Sequence, residues 1–165
     1  MMIDFGEAVR RFYGNYLKAD GRAQRSAYWW VALYQLVIYT VLIIVLFMAD
    51  GSEQILEVIN EILGGNTDAE FSDDFTLGTS GLLAAFLMAI FAIVNFLPNI
   101  MLQIRRFHDL GQTGWLVLVF RGLGALPYIG VFFDIANLIW FSVQGTNGPN
   151  QYGPDPLSSD TDIFG

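Results

Sequence analysis

Cysteine is absent from the 165-residue sequence, which excludes disulfides, thiolate catalysis and the usual zinc and iron–sulfur sites. Histidine occurs once, as His108, and a single imidazole does not build a histidine-based metal site. Charged residues are also scarce, at 15% of the chain against 54% hydrophobic residues, whereas about a quarter of a soluble domain is charged. This composition predicts a chain whose main solvent is lipid, without a resident metal or cofactor.

Lysine and arginine are missing from residues 50–80, a stretch that contains eight of the sixteen acidic residues. The basic residues lie elsewhere, at Arg10, Arg11, Lys18, Arg22, Arg25, Arg105, Arg106 and Arg121. Segregated charge in a hydrophobic chain is a signal of membrane topology. No basic face typical of nucleic-acid binding is present, so we expect no nucleic-acid partner.

Two uncharged runs, 27–49 and 81–104, are long enough to cross a bilayer as helices. At about 1.5 Å per residue, each exceeds a hydrocarbon core of roughly 30 Å. The first run starts too late and is too long for a cleavable signal peptide. Pro98 lies inside the second run and is expected to kink it or open its hydrogen-bond ladder. We therefore predict two full transmembrane helices.

The positive-inside rule orients these spans. Five basic residues precede the first span, and Arg105–Arg106 follow the second. The segment before the first span and the segment after the second are therefore predicted to be cytoplasmic, with the acidic loop 50–80 outside. Within the loop, 52–63 reads as an amphipathic helix. Four acidic residues after it either form a solvated loop or bind a divalent cation, and the first is favoured because no EF-hand spacing is present; they are Asp68, Glu70, Asp73 and Asp74.

Residues 3–19 alternate apolar and basic side chains at helical intervals. Phe5, Val9 and Phe12 share a face, with Arg10 and Arg11 between them. This pattern predicts an amphipathic helix that lies on the cytoplasmic leaflet. An ordinary soluble amphipathic helix is the alternative.

The segment 115–143 is too long for one upright span and too short for two. Pro127 and Gly130 interrupt it, which predicts a hairpin of two short helices, 115–126 and 131–143, buried against the first two spans at its turn. Arg121 and Asp134 would then lie at similar depth and form an ion pair, because a lone intramembrane charge is costly. The tail 144–165 would be cytoplasmic. A single tilted span is the rival.

Polar side chains form a stripe on each predicted span. Tyr28, Gln35 and Tyr39 share a face of the first, and Asn95, Asn99 and Gln103 share a face of the second. The simplest interpretation is that the stripes hydrogen-bond to each other between helices. A polar path or a substrate cavity is the alternative.

Residues 105–115 form the densest polar cluster. If the second helix continues, Asp109 lies four residues from Arg105 and is expected to pair with it, and Gly111 or Gly114 would end the helix. Guanidinium groups beside an imidazole can hold a phosphate of a lipid or a soluble ligand; the candidates are Arg22, Arg25, Arg105, Arg106 and His108. The alternative is a positive-inside anchor with a capped turn. A histidine and an aspartate without a nucleophile do not indicate catalysis, so no catalytic residue is predicted.

Three motifs occur in a recognisable order: GRAQRSAYWW at 21–30, RRFHDLGQTGW at 105–115 and GTNGPNQYGPDP at 145–156. In order and spacing they resemble the domain-of-unknown-function family 805, small bacterial inner-membrane proteins. Thr113 stands where that family usually has serine, the outer loop is longer and more acidic, and Arg121 falls in a usually apolar segment. The resemblance implies a bacterial inner-membrane location and supplies no activity, cofactor or catalytic residue.

We expect the three motifs to converge on one cytoplasmic surface, with Asn150 and Tyr152 near the Arg105–Asp109 turn. The fold class predicted is all-α, a single multi-spanning membrane domain of four membrane helices with an N-terminal interfacial helix. Three functions remain: a non-catalytic scaffold, assembly or accessory subunit, which is favoured; a small transporter, channel or anionic-lipid-handling protein; and an interfacial enzyme acting on phosphate-bearing lipid. The partners expected are anionic lipid headgroups and either a membrane complex or a second copy of the chain.

Overall fold

The structure, a computed structural model, describes residues 3–48, 60, 63–64 and 78–158. These residues form helices and no named strand; one isolated bridge joins Asn150 to Gly153. The all-α prediction is confirmed. The helices are α1 Phe5–Gly14, α2 Arg25–Leu46, α3 Thr79–Asp109, α4 Leu116–Gly124 and α5 Gly130–Ser142.

Helices α2 and α3 are the two helices, among the described residues, that are long and apolar enough to cross a membrane. Only 6% of the most apolar window of α2 and 17% of that of α3 is buried within the protein. A core helix of a soluble protein would be mostly buried, so these exposed apolar faces fit lipid as the solvent. Helix α3 includes Pro98 and runs five residues past the predicted end of the span.

Helix α1 starts at a side-chain cap, in which the Asp4 carboxylate accepts a 2.8 Å hydrogen bond from Glu7 N. Its buried residues are Ala8 and Phe12. The Tyr13 hydroxyl contacts both the Tyr34 hydroxyl and Asn95 Oδ1 at 3.0 Å, and burial raises the pKa of Tyr13 above its ordinary value. The position of α1 on a membrane surface stays a prediction.

Helices α4 and α5 follow each other through the five residues 125–129, as expected for a short hairpin. The turn closes with a 2.9 Å hydrogen bond from Gly130 N to Leu126 O. A Cβ at Gly130 would lie 2.1 Å from Gly124 O, so the first turn of α5 approaches the α4 backbone more closely than any side chain allows. Insertion of this pair into a membrane stays a prediction.

The predicted ion pair between Arg121 and Asp134 is wrong. The ion pairs of the described residues join Glu7 to Arg10 and Arg11, and Asp109 to Arg22 and Arg106. Asp134 faces Gly124 instead, with its Oδ1 2.8 Å from where a Cβ of that glycine would be. The carboxylate therefore fills the space beside a residue without a side chain, one helical turn beyond Arg121.

The predicted burial of the hairpin turn is also wrong. Tyr128 is 93% exposed, and Leu126 and Ile129 are each more than two-fifths exposed. Two N–H groups of the turn are satisfied within it, since Ile129 N donates to Pro127 O and Gly130 N to Leu126 O.

The chain divides into two compact units, Met1–Tyr34 with Asn95–Gly165, and Gln35–Val94. The first unit contains two apolar clusters. One centres on Phe12, Val31 and Leu102, and the other on Phe107, Val117 and Phe141. In the second unit Tyr39 and Phe91 make an edge-to-face contact with centroids 5.1 Å apart. The prediction of a single domain stays a prediction.

Most of the acidic loop falls outside the described residues. The predicted loop helix 52–63 is described only at Asn60 and Leu63. The candidate cation ligands are not among the described residues; they are Asp68, Glu70, Asp73 and Asp74.

Candidate functional site

The site is built around the C-terminal end of α3, which closes at Gly111. Gly111 has φ +73°, the left-handed conformation that glycine adopts without strain. Gly111 N donates to His108 O at 3.0 Å and Gln112 N to Phe107 O at 2.8 Å. This pair of bonds is the Schellman arrangement that ends many helices. The prediction that Gly111 or Gly114 ends the helix is confirmed for Gly111.

Asp109 lies in the last turn of α3 between two arginines, and we call Arg22, Arg106 and Asp109 the arginine–aspartate node. Arg22 Nε donates to Asp109 Oδ1 at 3.0 Å, and Arg106 Nη1 donates to Asp109 Oδ2. The side chains of the three are 1%, 0% and 4% exposed, respectively. The predicted pairing of Asp109 with Arg105 is wrong, because the carboxylate turns to the arginine three residues back and to the segment before α2.

The remaining donors of the node are satisfied by backbone carbonyls. Arg106 donates to Phe141 O and Val143 O at the end of α5, and to Ala23 O at 3.4 Å. Arg22 donates to Thr146 O at 2.5 Å and Gly148 O at 2.6 Å. Burying two guanidinium groups is costly unless their donors are used, and here they are used.

The tail after α5 wraps around this helix end. A Cβ at Gly145 would lie 2.1 Å from Asp109 Oδ2, so only glycine fits beside the carboxylate. Thr146 N and Oγ1 both donate to Asp109 O, at 2.8 and 3.1 Å. The Asp155 carboxylate accepts from Gly148 N and Leu157 N, each at 2.9 Å; these bonds lower the pKa of Asp155.

His108 joins the same assembly. Its Nδ1 lies 3.2 Å from Gly21 O, and its ring stacks on Tyr152 with centroids 3.9 Å apart and planes 3° apart. Asn150 Nδ2 donates to His108 O at 2.9 Å. The three motifs therefore meet around the end of α3, as expected. Arg25 is exposed beside them.

Arg105 is the exception in this cluster. It is 8% exposed, and its Nε donates to Met101 O at 3.3 Å. Its Nη2 is buried and has no hydrogen-bond partner among the described residues; the same holds for Gln24 Oε1. Both residues line a cavity of about 200 Å³, which we call the Arg105 cavity. Other residues that line it include Ile3, Arg11, Asn15, Arg22, Leu102 and Pro156.

The polar stripes are engaged differently from the expectation. Asn95, which is 2% exposed, binds Tyr13 of α1, and Asn99 Nδ2 donates to Asn95 O within α3. Tyr28 packs edge-on against Phe141, at a centroid distance of 4.8 Å. Gln103 is buried. Helix α1 thus provides a polar contact that the prediction assigned to a second transmembrane helix.

Sequence reasoning did not predict that Tyr13 makes a buried polar contact. It also did not predict that Gln24, Arg11 and Asn15 line a cavity. Tyr13 falls four residues after Val9, on the apolar face of α1, and that spacing was a signal for a buried contact. Gln24 lies inside the first motif without a distinctive pattern of its own. No finding tests whether the proposed phosphate-binding residues hold an anion, so that role stays a prediction.

Comparison with known proteins gives a consistent result. The sequence profile of a family described as "Protein of unknown function (DUF805)" matches residues 16–154. The chain is 31% identical over 143 residues to the inner membrane protein YhaI of Escherichia coli K12, covering 86% of this chain and 88% of that protein. It is 32% identical to the inner membrane protein YhaH of the same strain, covering 86% and 89%. No solved structure matches.

Proposed function

Because the chain belongs to the DUF805 family, an inner-membrane family of unknown function, we propose that it works without catalysis as a scaffold, assembly or accessory subunit of a membrane complex. The observation that carries this proposal is that the polar residues of the three motifs serve the fold. Arg22, Arg106 and Asp109 bind one another and backbone carbonyls. Side chains that are engaged in these ion pairs and hydrogen bonds are not available as acids, bases or nucleophiles.

Two threonine hydroxyls of the motifs support the same conclusion. Thr146 Oγ1 donates to Asp109 O, and Thr113 Oγ1 lies 3.5 Å from Trp115 N. The His108 ring is covered on one face by Tyr152. Nucleophilic catalysis needs a hydroxyl within reach of a base, and these groups are held at the backbone instead.

We propose a topology in which both termini are cytoplasmic and α4–α5 is a re-entrant hairpin. Arg22 precedes α2 and Asp109 ends α3, and the two are hydrogen-bonded, so both lie on one side if α2 and α3 span. The tail binds them both through Thr146, and Asn150 Nδ2 donates to the neighbouring His108 O. A tail on that side requires the intervening pair of helices to return to it. The positive-inside rule assigns that side to the cytoplasm.

The topology is tested by cysteine labelling, since the chain has no cysteine of its own. Asp20→Cys and Ser158→Cys should react with a membrane-impermeant thiol reagent only after the cytoplasmic side is opened. Ser72→Cys in the acidic loop is the control and should react in intact spheroplasts. Labelling of Ser158→Cys from outside would contradict the hairpin.

The scaffold role is tested by purification in mild detergent followed by native mass spectrometry. A second polypeptide at fixed stoichiometry, retained after crosslinking in the membrane, is the expected result. Its loss on substitution of exposed apolar residues of α2, with the fold intact, would locate the interface. A chain that runs as a monomer without any polypeptide partner would overturn the proposal.

Anionic-lipid handling is a second candidate, which the unpartnered Nη2 of Arg105 in the Arg105 cavity favours.

A further inference from the structure

We propose that the Arg105 cavity binds the phosphate of a glycerophospholipid headgroup, with an acyl chain of the same lipid in the apolar groove beside it. This inference deepens the lipid-handling candidate. It rests on the membrane location of the chain and does not depend on the scaffold role.

The charges around the cavity leave one cation without a carboxylate. Three arginines line it, and no acidic residue is among its lining residues. Arg11 pairs with Glu7 at 2.5 Å, and Arg22 pairs with Asp109 at 3.0 Å. Arg105 has neither an ion pair nor a partner for Nη2 within the described part of the chain. A buried, uncompensated cation is unfavourable in the free protein, so an anion that enters here binds with charge-assisted hydrogen bonds.

The hydrogen-bonding groups of the cavity fit an organic phosphate. The guanidinium supplies donors for phosphate oxygens. The unpartnered Gln24 Oε1 is an acceptor and fits a ligand that also carries hydroxyl or ammonium hydrogens. The cavity volume of about 200 Å³ exceeds the space of a single water, about 30 Å³. A headgroup such as phosphoglycerol or phosphoethanolamine supplies both functions, whereas phosphocholine lacks the donor.

The apolar groove distinguishes a lipid from free phosphate. It has a volume of about 400 Å³ and is lined by Ile3, Ser26, Trp29, Trp30 and Leu33. Ile3 lines both the groove and the Arg105 cavity, so the two spaces share this residue as a wall. Trp30 Nε1 donates to Ile3 O at 3.1 Å and holds this shared wall. Tryptophan favours the level at which headgroup and acyl chain join.

The test uses the full-length chain, delipidated in detergent and then titrated by native mass spectrometry. The probes are phosphatidylglycerol, phosphatidylcholine and inorganic phosphate alone. We expect wild type to prefer phosphatidylglycerol to phosphatidylcholine. Arg105→Gln should weaken phosphatidylglycerol binding about tenfold, the scale of a lost charge-assisted hydrogen bond. The matched control Arg121→Gln, which removes an exposed arginine of α4 that lines neither space, should change it less than twofold.

Two further arms identify the source of the phosphate. Trp29→Ala should weaken lipid binding severalfold while leaving any competition by inorganic phosphate unchanged; Leu36→Ala, an exposed leucine of α2 outside the groove, is its control. Equal binding of phosphatidylglycerol by wild type and Arg105→Gln would overturn the proposal. Binding of inorganic phosphate without a preference between the two lipids would overturn the lipid as the ligand. The cavity would then be a site for a free anion.

If Arg105→Gln does not fold, Arg105→Lys replaces it, because lysine keeps the charge and loses the planar fork. We expect at least a threefold loss of phosphatidylglycerol affinity, and unchanged affinity would overturn the proposal. Polypeptide partners are scored in the same spectra. If the protein shows no lipid selectivity but retains a polypeptide partner, this inference fails and the scaffold role stands. If it shows lipid selectivity but no polypeptide partner, the scaffold role fails and this inference stands.

Discussion

Arg105 and Arg106 are neighbours in the sequence and are both buried, but they differ in hydrogen bonding. Arg106 is fully buried, and its donors meet Asp109 and the carbonyls of Ala23, Phe141 and Val143. Arg105 is almost as buried, yet one of its terminal nitrogens meets no partner among the described residues. The sequence pattern of two adjacent arginines at a membrane exit does not separate them.

The difference teaches that a single helix end can hold an arginine whose donors are satisfied by the fold beside one with an unpartnered terminal nitrogen. Adjacent residues on a helix point about 100° apart, so the two guanidiniums face different neighbours. One faces α5 and the tail, which offer carbonyls. The other faces α1 and the segment before α2, where a cavity is left.

The largest loss of stability is expected for Asp109→Asn. It leaves two buried guanidiniums without their carboxylate, and removal of one partner of a buried ion pair costs about 3–5 kcal/mol. The unfolding temperature in detergent should fall strongly, or the protein should fail to accumulate. Asp134→Asn, an exposed carboxylate of α5, is the control and should change stability by less than about 0.5 kcal/mol. A loss below 1 kcal/mol for Asp109→Asn would mean that the node is not structural.

Gly145→Ala should cost about 1–3 kcal/mol, the range for overpacking a filled site. The new methyl would overlap Asp109 Oδ2, which lies 2.1 Å from its position. Gly122→Ala is the matched control, because nothing lies within 4 Å of its Cβ and it is inside helix α4. That control should be neutral or stabilising by about 0.5–1 kcal/mol. The measurement is thermal unfolding. Equal shifts in the unfolding temperature of the two variants would contradict the close approach of Gly145 to Asp109.

A smaller effect is expected for Asp155→Asn, about 0.5 kcal/mol, because solvent screens this partly exposed carboxylate. Backbone donation from Leu157 N and Gly148 N lowers the pKa of Asp155 below its ordinary value of 3.8. A lowered pKa contributes stability above pH 3.8 that is lost as the pH falls through the folded value. The difference between wild type and variant, followed by unfolding at stepped pH, should therefore shrink below about pH 4. A difference that grows in acid would contradict this.

The smallest change is expected for Arg105→Met in lipid-free detergent, where stability should stay within about 0.5 kcal/mol of wild type or rise. An apolar chain of similar length replaces a buried charge that has no carboxylate. Arg106→Met is the control and should lose about 3 kcal/mol or more. Comparable losses in the two variants would remove the distinction between the neighbouring arginines.

The sequence predicted the long helices well because their signal is local. An uncharged run of more than 20 residues defines α2 and α3 without knowledge of any partner, and the pair Pro127 and Gly130 marks the turn between α4 and α5. Gly111 was predictable as a helix end because a glycine after basic residues is a local stop signal. The meeting of the motifs followed from their position beside the spans.

The pairings were not predictable to the same extent. Sequence spacing favoured Arg105 as the partner of Asp109, but the choice depends on Arg22, which is 87 residues away. The same holds for Asp134, whose carboxylate lies beside Gly124 and forms no ion pair with Arg121. Tyr13 and Asn95 are 82 residues apart, and only the packing of α1 shows that they meet.

The long separation of the contacts of Arg22 has a consequence for biosynthesis. Its carbonyl partner Thr146 lies 124 residues later in the chain, and at about 5–20 residues per second a ribosome needs about 6–25 s to reach it. In the proposed topology, the guanidinium lies in water beside the first emerging span during that interval and helps to retain the flank on the cytoplasmic side. After chain release the same guanidinium is withdrawn into the fold. We therefore expect one substitution at Arg22 to disturb insertion early and stability late, two defects that pulse-chase experiments would resolve in time.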